Sequence, residues 1–281
     1  MSTCYTYGVD RSSLLGLNHF KNKDNILVIE SPTAQSANET ISEILEKYCD
    51  LKTALFLSGG NTPKKLYEFI AAEKKLKVGA VGQVDERYGE KLHKKSNELM
   101  MKNTGLIEYF EVQNIRFYPI LQEEVDLENT ALQYDEALRF ILKYFPKSVG
   151  ILGLGEDGHT AGLPSGNQKS KIKNQNLIEI NKRILNDQSS LITHYEDDSG
   201  VYGPRITFTY TGLSQLDLII VLVLGQEKRE ILNKMFKSRL PKSGTGGQVN
   251  GNQEEIESFP AKFYLKPEIA SKTILITDQI V

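Results

Sequence analysis

Short apolar runs alternate with amphipathic segments along most of this chain. Ile26 to Ile29 reads as a strand, and Ala34 to Tyr48 carries apolar residues at helical spacing. Ala54 to Leu57 precedes a second helical pattern from Pro63 to Glu73, and Val78 to Val84 and the segment around Ile115 to Tyr118 add two strand candidates. A helix from about Leu127 to Tyr144 leads into an apolar strand, Val149 to Leu154. Leu218 to Leu224, Glu227 to Phe236 and Thr273 to Ile276 then read as strand, helix and strand. Such alternation is the signature of parallel βαβ units, so the expected fold class is α/β, a twisted, mostly parallel sheet flanked by helices. Tyr67, Phe69 and Phe140 fall where helical core faces are expected.

Two polar stretches interrupt the pattern. Asn167 to Gly200 is long and lysine-rich and reads as a lid or accessory helical segment, whereas 242–253, with Ser243-Gly244-Thr245-Gly246-Gly247, reads as a surface insertion. With 281 residues, 40% of them hydrophobic, the chain is expected to form a single α/β domain over 1–281 carrying insertions near 167–200 and 242–253. The 34 basic and 36 acidic residues give a net charge of −2, which disfavours a nucleic-acid partner. Cys4 and Cys49 form neither a metal-ligand cluster nor a disulfide framework and fit a reducing compartment. The N-terminus, with Asp10 and Arg11 before Leu14-Leu15, lacks a signal-peptide core, and Leu218 to Leu224 is too short to cross a bilayer. The expectation is a cytoplasmic chain with no membrane partner; the sequence carries no mark of its oligomeric state.

The densest chemistry lies at Gly153-Leu154-Gly155-Glu156-Asp157-Gly158-His159-Thr160, at the end of the strand from Val149. Asp157 is placed to orient or polarise His159, the side-chain type that titrates nearest neutral pH; an ordinary turn with a surface histidine is the plain alternative. Ser58-Gly59-Gly60-Asn61-Thr62-Pro63 lies between a strand and a helix, where glycine amides, the Ser58, Asn61 and Thr62 side chains and a first-turn proline suit a phosphate. The alternative is a strand-to-helix turn capped by Thr62, and the absence of a Gly-Lys-Ser/Thr ending argues against a nucleotide P-loop. In Val84-Asp85-Glu86-Arg87-Tyr88, followed by Ser96-Asn97, Arg87 suits a phosphate clamp, Asp85 suits sugar hydroxyls or a base, and Glu86 is expected in an exposed salt-bridged turn. Lys228 offers a second positive charge or is a plain surface lysine, and Arg205 binds a ligand or a neighbouring carboxylate. His19, His93 and His194 have no comparable setting and read as structural or solvated.

Together these segments resemble the 6-phosphogluconolactonases, within the broader glucosamine-6-phosphate isomerase/deaminase-like superfamily. The anchors are Leu57 to Pro63, Asp85-Glu86-Arg87 with Ser96-Asn97, Gly153 to Ala161, Arg205-Ile206-Thr207, and Gly225 with Lys228. The resemblance implies a Rossmann-like sheet, a phosphorylated sugar lactone as partner, and hydrolysis of 6-phosphogluconolactone in the oxidative pentose phosphate pathway without a metal or organic cofactor. Carried over by position, it makes His159 the general base, Asp157 its acidic neighbour, and the glycine loop, Arg87 and Lys228 the phosphate grip.

The chain departs from that pattern after the histidine. Lactonases usually continue Thr-Ala-Ser-Leu-Phe-Pro, whereas this chain reads Thr160-Ala161-Gly162-Leu163-Pro164-Ser165, an altered pocket edge. An isomerase or deaminase, with Asp85 shuttling a proton and His159 assisting ring opening, is the enzymatic alternative. Against it, no glutamate follows His159 in the corresponding stretch, and Arg87 stands where the deaminase motif has tyrosine. A noncatalytic sugar-phosphate sensor is the alternative of a different class.

Overall fold

The structure is a computed structural model describing residues 20–166, 174–197, 200, 202–237 and 253–281. The readings placed on Cys4, on Asp10 to Leu15, on His19 and on 242–252 lie outside the described residues. Eleven strands are present among them: β1 (Lys21–Lys23), β2 (Ile26–Glu30), β3 (Thr53–Leu57), β4 (Ala80–Gln83), β5 (Asp85–Arg87), β6 (Arg116–Tyr118), β7 (Lys147–Gly153), β8 (Ile192–Tyr195), β9 (Arg205–Phe208), β10 (Leu218–Val223) and β11 (Thr273–Thr277). Eight of them form one sheet in the order β1-β2-β11-β10-β7-β3-β4-β6, parallel throughout except for the β1–β2 hairpin.

Strands of a parallel sheet are covered on both faces, which is why Leu218–Val223 is an unbroken apolar run and wholly buried. Alternate residues feed two cores. Ile219, Val221 and Val223 point into a core with Phe208, Tyr134 and Leu138, while Ile220 and Leu222 point into one with Leu57, Ile41 and Leu66. The helices supplying these residues include α1 (Ala34–Tyr48), α2 (Asn61–Glu73), α3 (Asn97–Asn103), α4 (Leu106–Val112) and α5 (Leu127–Tyr144). Helix α1 starts where Thr33 and Ser36 exchange side-chain-to-amide hydrogen bonds of 3.0 and 3.2 Å, a capping box that satisfies two amides.

Strand order sets the site. After β3 the chain adds β4 and β6 outward on one side; from β7 it adds β10 and β11 on the other. The direction of winding reverses between the neighbours β3 and β7, and the loops leaving their carboxyl ends diverge there to open a crevice.

Several expectations are corrected. The strand read as Val78 to Val84 is β4, after which Val84 turns the chain into β5, the edge of a second, antiparallel sheet in the order β5-β9-β8. The segment 167–200 holds more than an accessory helix. Its described part contains α6 (Gln175–Asn186) and also β8, whose pairing with β9 makes it part of that second sheet. The helix read from Glu227 begins as a 3-10 turn, Gln226–Lys228, before α7 (Arg229–Phe236). Tyr67 is fully buried as expected, but Phe140 is exposed and stacks on Tyr144 at 4.3 Å. The helical phase that turns Tyr134, Leu138 and Ile141 inward leaves Phe140 on the outer side of α5.

Candidate active site

All the residues singled out for chemistry line one cleft of about 560 Å³ at the β3/β7 divergence: Ser58 to Thr62, Asp85 and Arg87, Asp157 and His159, Arg205 and Lys228. The sequence separates the first from the last by most of the chain, and the sheet topology brings them together.

The β3 side is built from backbone. Gly60 has φ +114°, a conformation that an L side chain rarely adopts, and it turns the strand directly into α2, two residues earlier than the proline suggests. Helical bonding begins with Lys64, whose amide donates to the Gly60 carbonyl at 3.2 Å, so the amides of Asn61 and Thr62 ahead of it are open at the positive end of the helix dipole. Pro63 has no amide to leave unpaired. Thr62 lies inside the first turn and does not cap the helix. The Ser58 hydroxyl is buried without a hydrogen-bond partner among the described residues, and the Ser58 carbonyl accepts from the Tyr67 hydroxyl at 2.7 Å.

The β7 side is built from side chains. One Asp157 oxygen accepts from the His159 amide at 3.1 Å and lies 2.6 Å from His159 Nδ1; the other accepts from the Tyr202 hydroxyl. Burial opposes ionisation of Asp157, but the bonds from His159 and Tyr202 outweigh it and hold the carboxyl well below the usual carboxylate range. An ionised carboxylate only accepts, so Nδ1 carries the proton and a neutral His159 has Nε2 free to accept one. His159 is 42% exposed on the cleft, which leaves that nitrogen accessible.

Strand β5 divides its residues by pleat. Asp85 and Arg87 face the cleft, and Glu86 faces away. The expectation of an exposed Glu86 is wrong: the residue is fully buried. Its carboxylate accepts from the amides of Arg87, Asn97 and Glu98 at 2.7, 2.7 and 2.9 Å, from Ser96 Oγ at 3.1 Å and from Gln83 Nε2 at 3.0 Å. Enough donors surround it to replace water, two of them amides of the first turn of α3. Asn97 in turn accepts from Arg87 Nη1 at 3.0 Å and donates to the Asp85 carbonyl at 2.8 Å.

Arg87 and Arg205 are register partners across β5 and β9. Arg205 donates to Asp85 Oδ2 at 2.8 Å, and the two side chains are 8% and 7% exposed. Burial works against the Arg205 charge, but Asp85 more than restores it; on Arg87, burial and the neighbouring Arg205 both pull the affinity for the proton down. With Asp85 neutralising Arg205, the cleft cations without a carboxylate partner among the described residues are Arg87 and Lys228.

The altered stretch after His159 has a steric correlate. Gly162 has φ +74°, and a Cβ there would stand 2.7 Å from the Asp85 Cβ, so the turn closes directly on the Asp85–Arg205 pair. Leu163 and Pro164 are buried and do not line the cleft. Sequence reasoning missed Tyr202, because it is 45 positions from Asp157 and no motif marks it. It also missed Glu156 and Glu227, two further carboxylates on the cleft wall. His93 Nε2 donates to the Arg87 carbonyl at 2.9 Å, in keeping with a structural reading.

The chain is similar to known proteins along most of its length. The family model for glucosamine-6-phosphate isomerases/6-phosphogluconolactonase matches residues 30–254. A 6-phosphogluconolactonase from a Nostoc species is 33% identical over 190 residues, covering 64% of this chain and 70% of its own length. One from Xylella fastidiosa is 29% identical over 209 residues, covering 72% and 78%. Among solved structures, a 6-phosphogluconolactonase from Shewanella baltica superposes with a TM-score of 0.66 at 18% identity, over 90% of this chain and 97% of that one. That from Plasmodium vivax gives 0.66 at 18%, over 93% and 92%. These two speak to the fold, a mostly parallel eight-stranded sheet flanked by helices.

Proposed function

The chain belongs to the family of glucosamine-6-phosphate isomerases and 6-phosphogluconolactonases, and from that premise we propose that it hydrolyses 6-phosphogluconolactone to 6-phosphogluconate. The observation that carries the reading is the pairing, across one cleft, of an Asp157–His159 couple with an open helix N-terminus and two cations that lack a carboxylate partner among the described residues. A phosphorylated lactone needs both ends at once, an anion grip and a base several ångströms away.

In this mechanism the phosphate sits on the amides of the Ser58–Thr62 turn, with Arg87 and Lys228 balancing its charge. Held there, the lactone presents its carbonyl carbon to His159. A water attacks that carbon while Nε2 of His159 takes its proton, and the carbonyl π electrons move onto oxygen. The tetrahedral intermediate collapses, re-forming the C=O bond and breaking the bond to the ring oxygen, to which His159 returns the proton. The acid so formed loses a proton to solvent, and the imidazole is neutral again. Asp157 keeps the proton on Nδ1 and stabilises the imidazolium that forms between the two transfers.

Asp85 supports this choice over the isomerase reading. A carboxylate committed to a buried guanidinium at 2.8 Å is a poor shuttle between sugar carbons, because each protonation would strip the buried Arg205 of its ion-pair partner. The deciding experiment follows hydrolysis of freshly generated 6-phosphogluconolactone above its spontaneous background, with ammonia release from glucosamine 6-phosphate measured in parallel. Lactone turnover without ammonia is expected. Ammonia release without lactone turnover would replace the assignment with a deaminase, and phosphosugar binding with neither activity would replace it with a sensor.

A further inference from the structure

Asp157 uses its two oxygens differently. Oδ1 serves His159, and Oδ2 accepts from the hydroxyl of Tyr202, which sits in the loop before β9 and belongs to none of the sequence motifs. We propose that Tyr202 is a positioning residue for the hydrolysis assigned above, fixing Asp157 and the plane of the His159 ring so that Nε2 faces the substrate. The inference rests on that assignment and adds a residue to it.

The tyrosine is itself held at three points. Its amide donates to Asp197 Oδ2 at 2.8 Å, its carbonyl accepts from Arg205 Nη2 at 3.4 Å, and its hydroxyl oxygen accepts from the Ser165 amide at 3.2 Å. A phenol has one proton to give, and since the Ser165 amide can only donate, that proton goes to Asp157. The ring packs edge-on against the imidazole, with centroids 5.5 Å apart and planes at 80°. Through its carbonyl, Tyr202 also touches Arg205, the register partner of Arg87 and the ion-pair partner of Asp85. One residue thereby links the base to the side of the cleft assigned to phosphate.

Loss of this donor has an electrostatic consequence. The charged groups that share the cleft with Asp157 and His159 are Glu156 on the same turn, Glu227 and Lys228 after β10, Asp85 and Arg87 on β5, and Arg205 on β9. Oδ2 takes its hydrogen bond from Tyr202, so removing the phenol oxygen concentrates negative charge on Asp157 and strengthens its pull on Nδ1–H while freeing its orientation.

Tyr202→Phe keeps the ring and deletes only the hydroxyl. Against freshly generated lactone, kcat is expected to fall roughly tenfold, the loss typical of one hydrogen bond to a charged group, with KM within about twofold. The acid limb of the kcat profile, set by the Asp157–His159 pair jointly, should move to higher pH. Independently of turnover, the low-field proton resonance of the His159 Nδ1–H, identified by its loss in His159→Gln, should move further downfield. Unchanged kcat with an unmoved limb and resonance overturns the proposal, as does a kcat loss matched by an equal loss of folded protein. A wild-type enzyme that turns over no lactone defeats the functional assignment before any variant is compared, and the resonance still reports whether Tyr202 acts on Asp157.

Discussion

The two loops that frame the cleft leave neighbouring parallel strands, and both are rich in glycine, yet they do opposite work. Ser58 to Thr62 contains no group that titrates near neutral pH and acts through open amides at the head of a thirteen-residue helix. Gly155 to Thr160 leads into no helix, and its backbone closes on itself through a 2.8 Å bond from the Gly155 amide to the His159 carbonyl, leaving side chains to act. The element downstream of the glycines makes the difference. A strand that runs straight into a helix offers amides and a dipole, whereas one that runs into a tight turn offers whatever side chains the turn displays.

If that division is real, the two halves should fail in different kinetic constants. His159→Ala is expected to have the largest effect, a loss in kcat of roughly 10²–10⁴-fold, with affinity for 6-phosphogluconate little changed. Turnover that survives in a folded variant would remove the base from the β7 loop. Arg87→Ala should act on the opposite quantity, raising KM for the phosphorylated lactone roughly tenfold or more while sparing a lactone that lacks the phosphate. An equal loss on both lactones would show that Arg87 organises the cleft, through Asn97, instead of gripping phosphate. Tyr202→Phe comes next, as a kcat effect smaller than that of His159→Ala.

The same contrast explains which features are legible in the sequence. Helices α1 and α5 begin and end where the amphipathic pattern puts them, at Ala34–Tyr48 and Leu127–Tyr144, because their caps and apolar stripes are local. The loops at Ser58 and Gly153 are legible because glycine and hydroxyl residues at strand ends carry their own explanation. Glu86 is misread because nothing local distinguishes a solvated glutamate from one surrounded by donors ten to twelve residues away. Strand β8 escapes notice because its four residues gain their partner only through β9, and Ile192-Thr193-His194-Tyr195 is too short to show a period. Tyr202 illustrates the limit most plainly, since its role depends on Asp157 and Ser165, both brought to it by the fold.

The smallest expected effect is on stability, and it separates the loops by pH. The Asp157 carboxyl is held below its ordinary value in the folded chain, so it binds protons less readily there than in the unfolded chain. Its contribution is therefore complete above the unfolded-state value, about 3.9, and is lost as pH falls below that toward the folded value. Asp157→Asn lacks this titration. The stability difference between wild type and this variant, read from urea unfolding, should be on the order of 1 kcal/mol at about pH 5 and should narrow below about 4. Gly60→Ala supplies the contrast. It forces a side chain into φ +114° beside no titrating group of its own loop, so its offset of about 1–3 kcal/mol should stay parallel to wild type across the same range. Parallel curves for both variants would mean that Asp157 is not held ionised by its neighbours, and the division between a backbone loop and a side-chain loop would lose its electrostatic half.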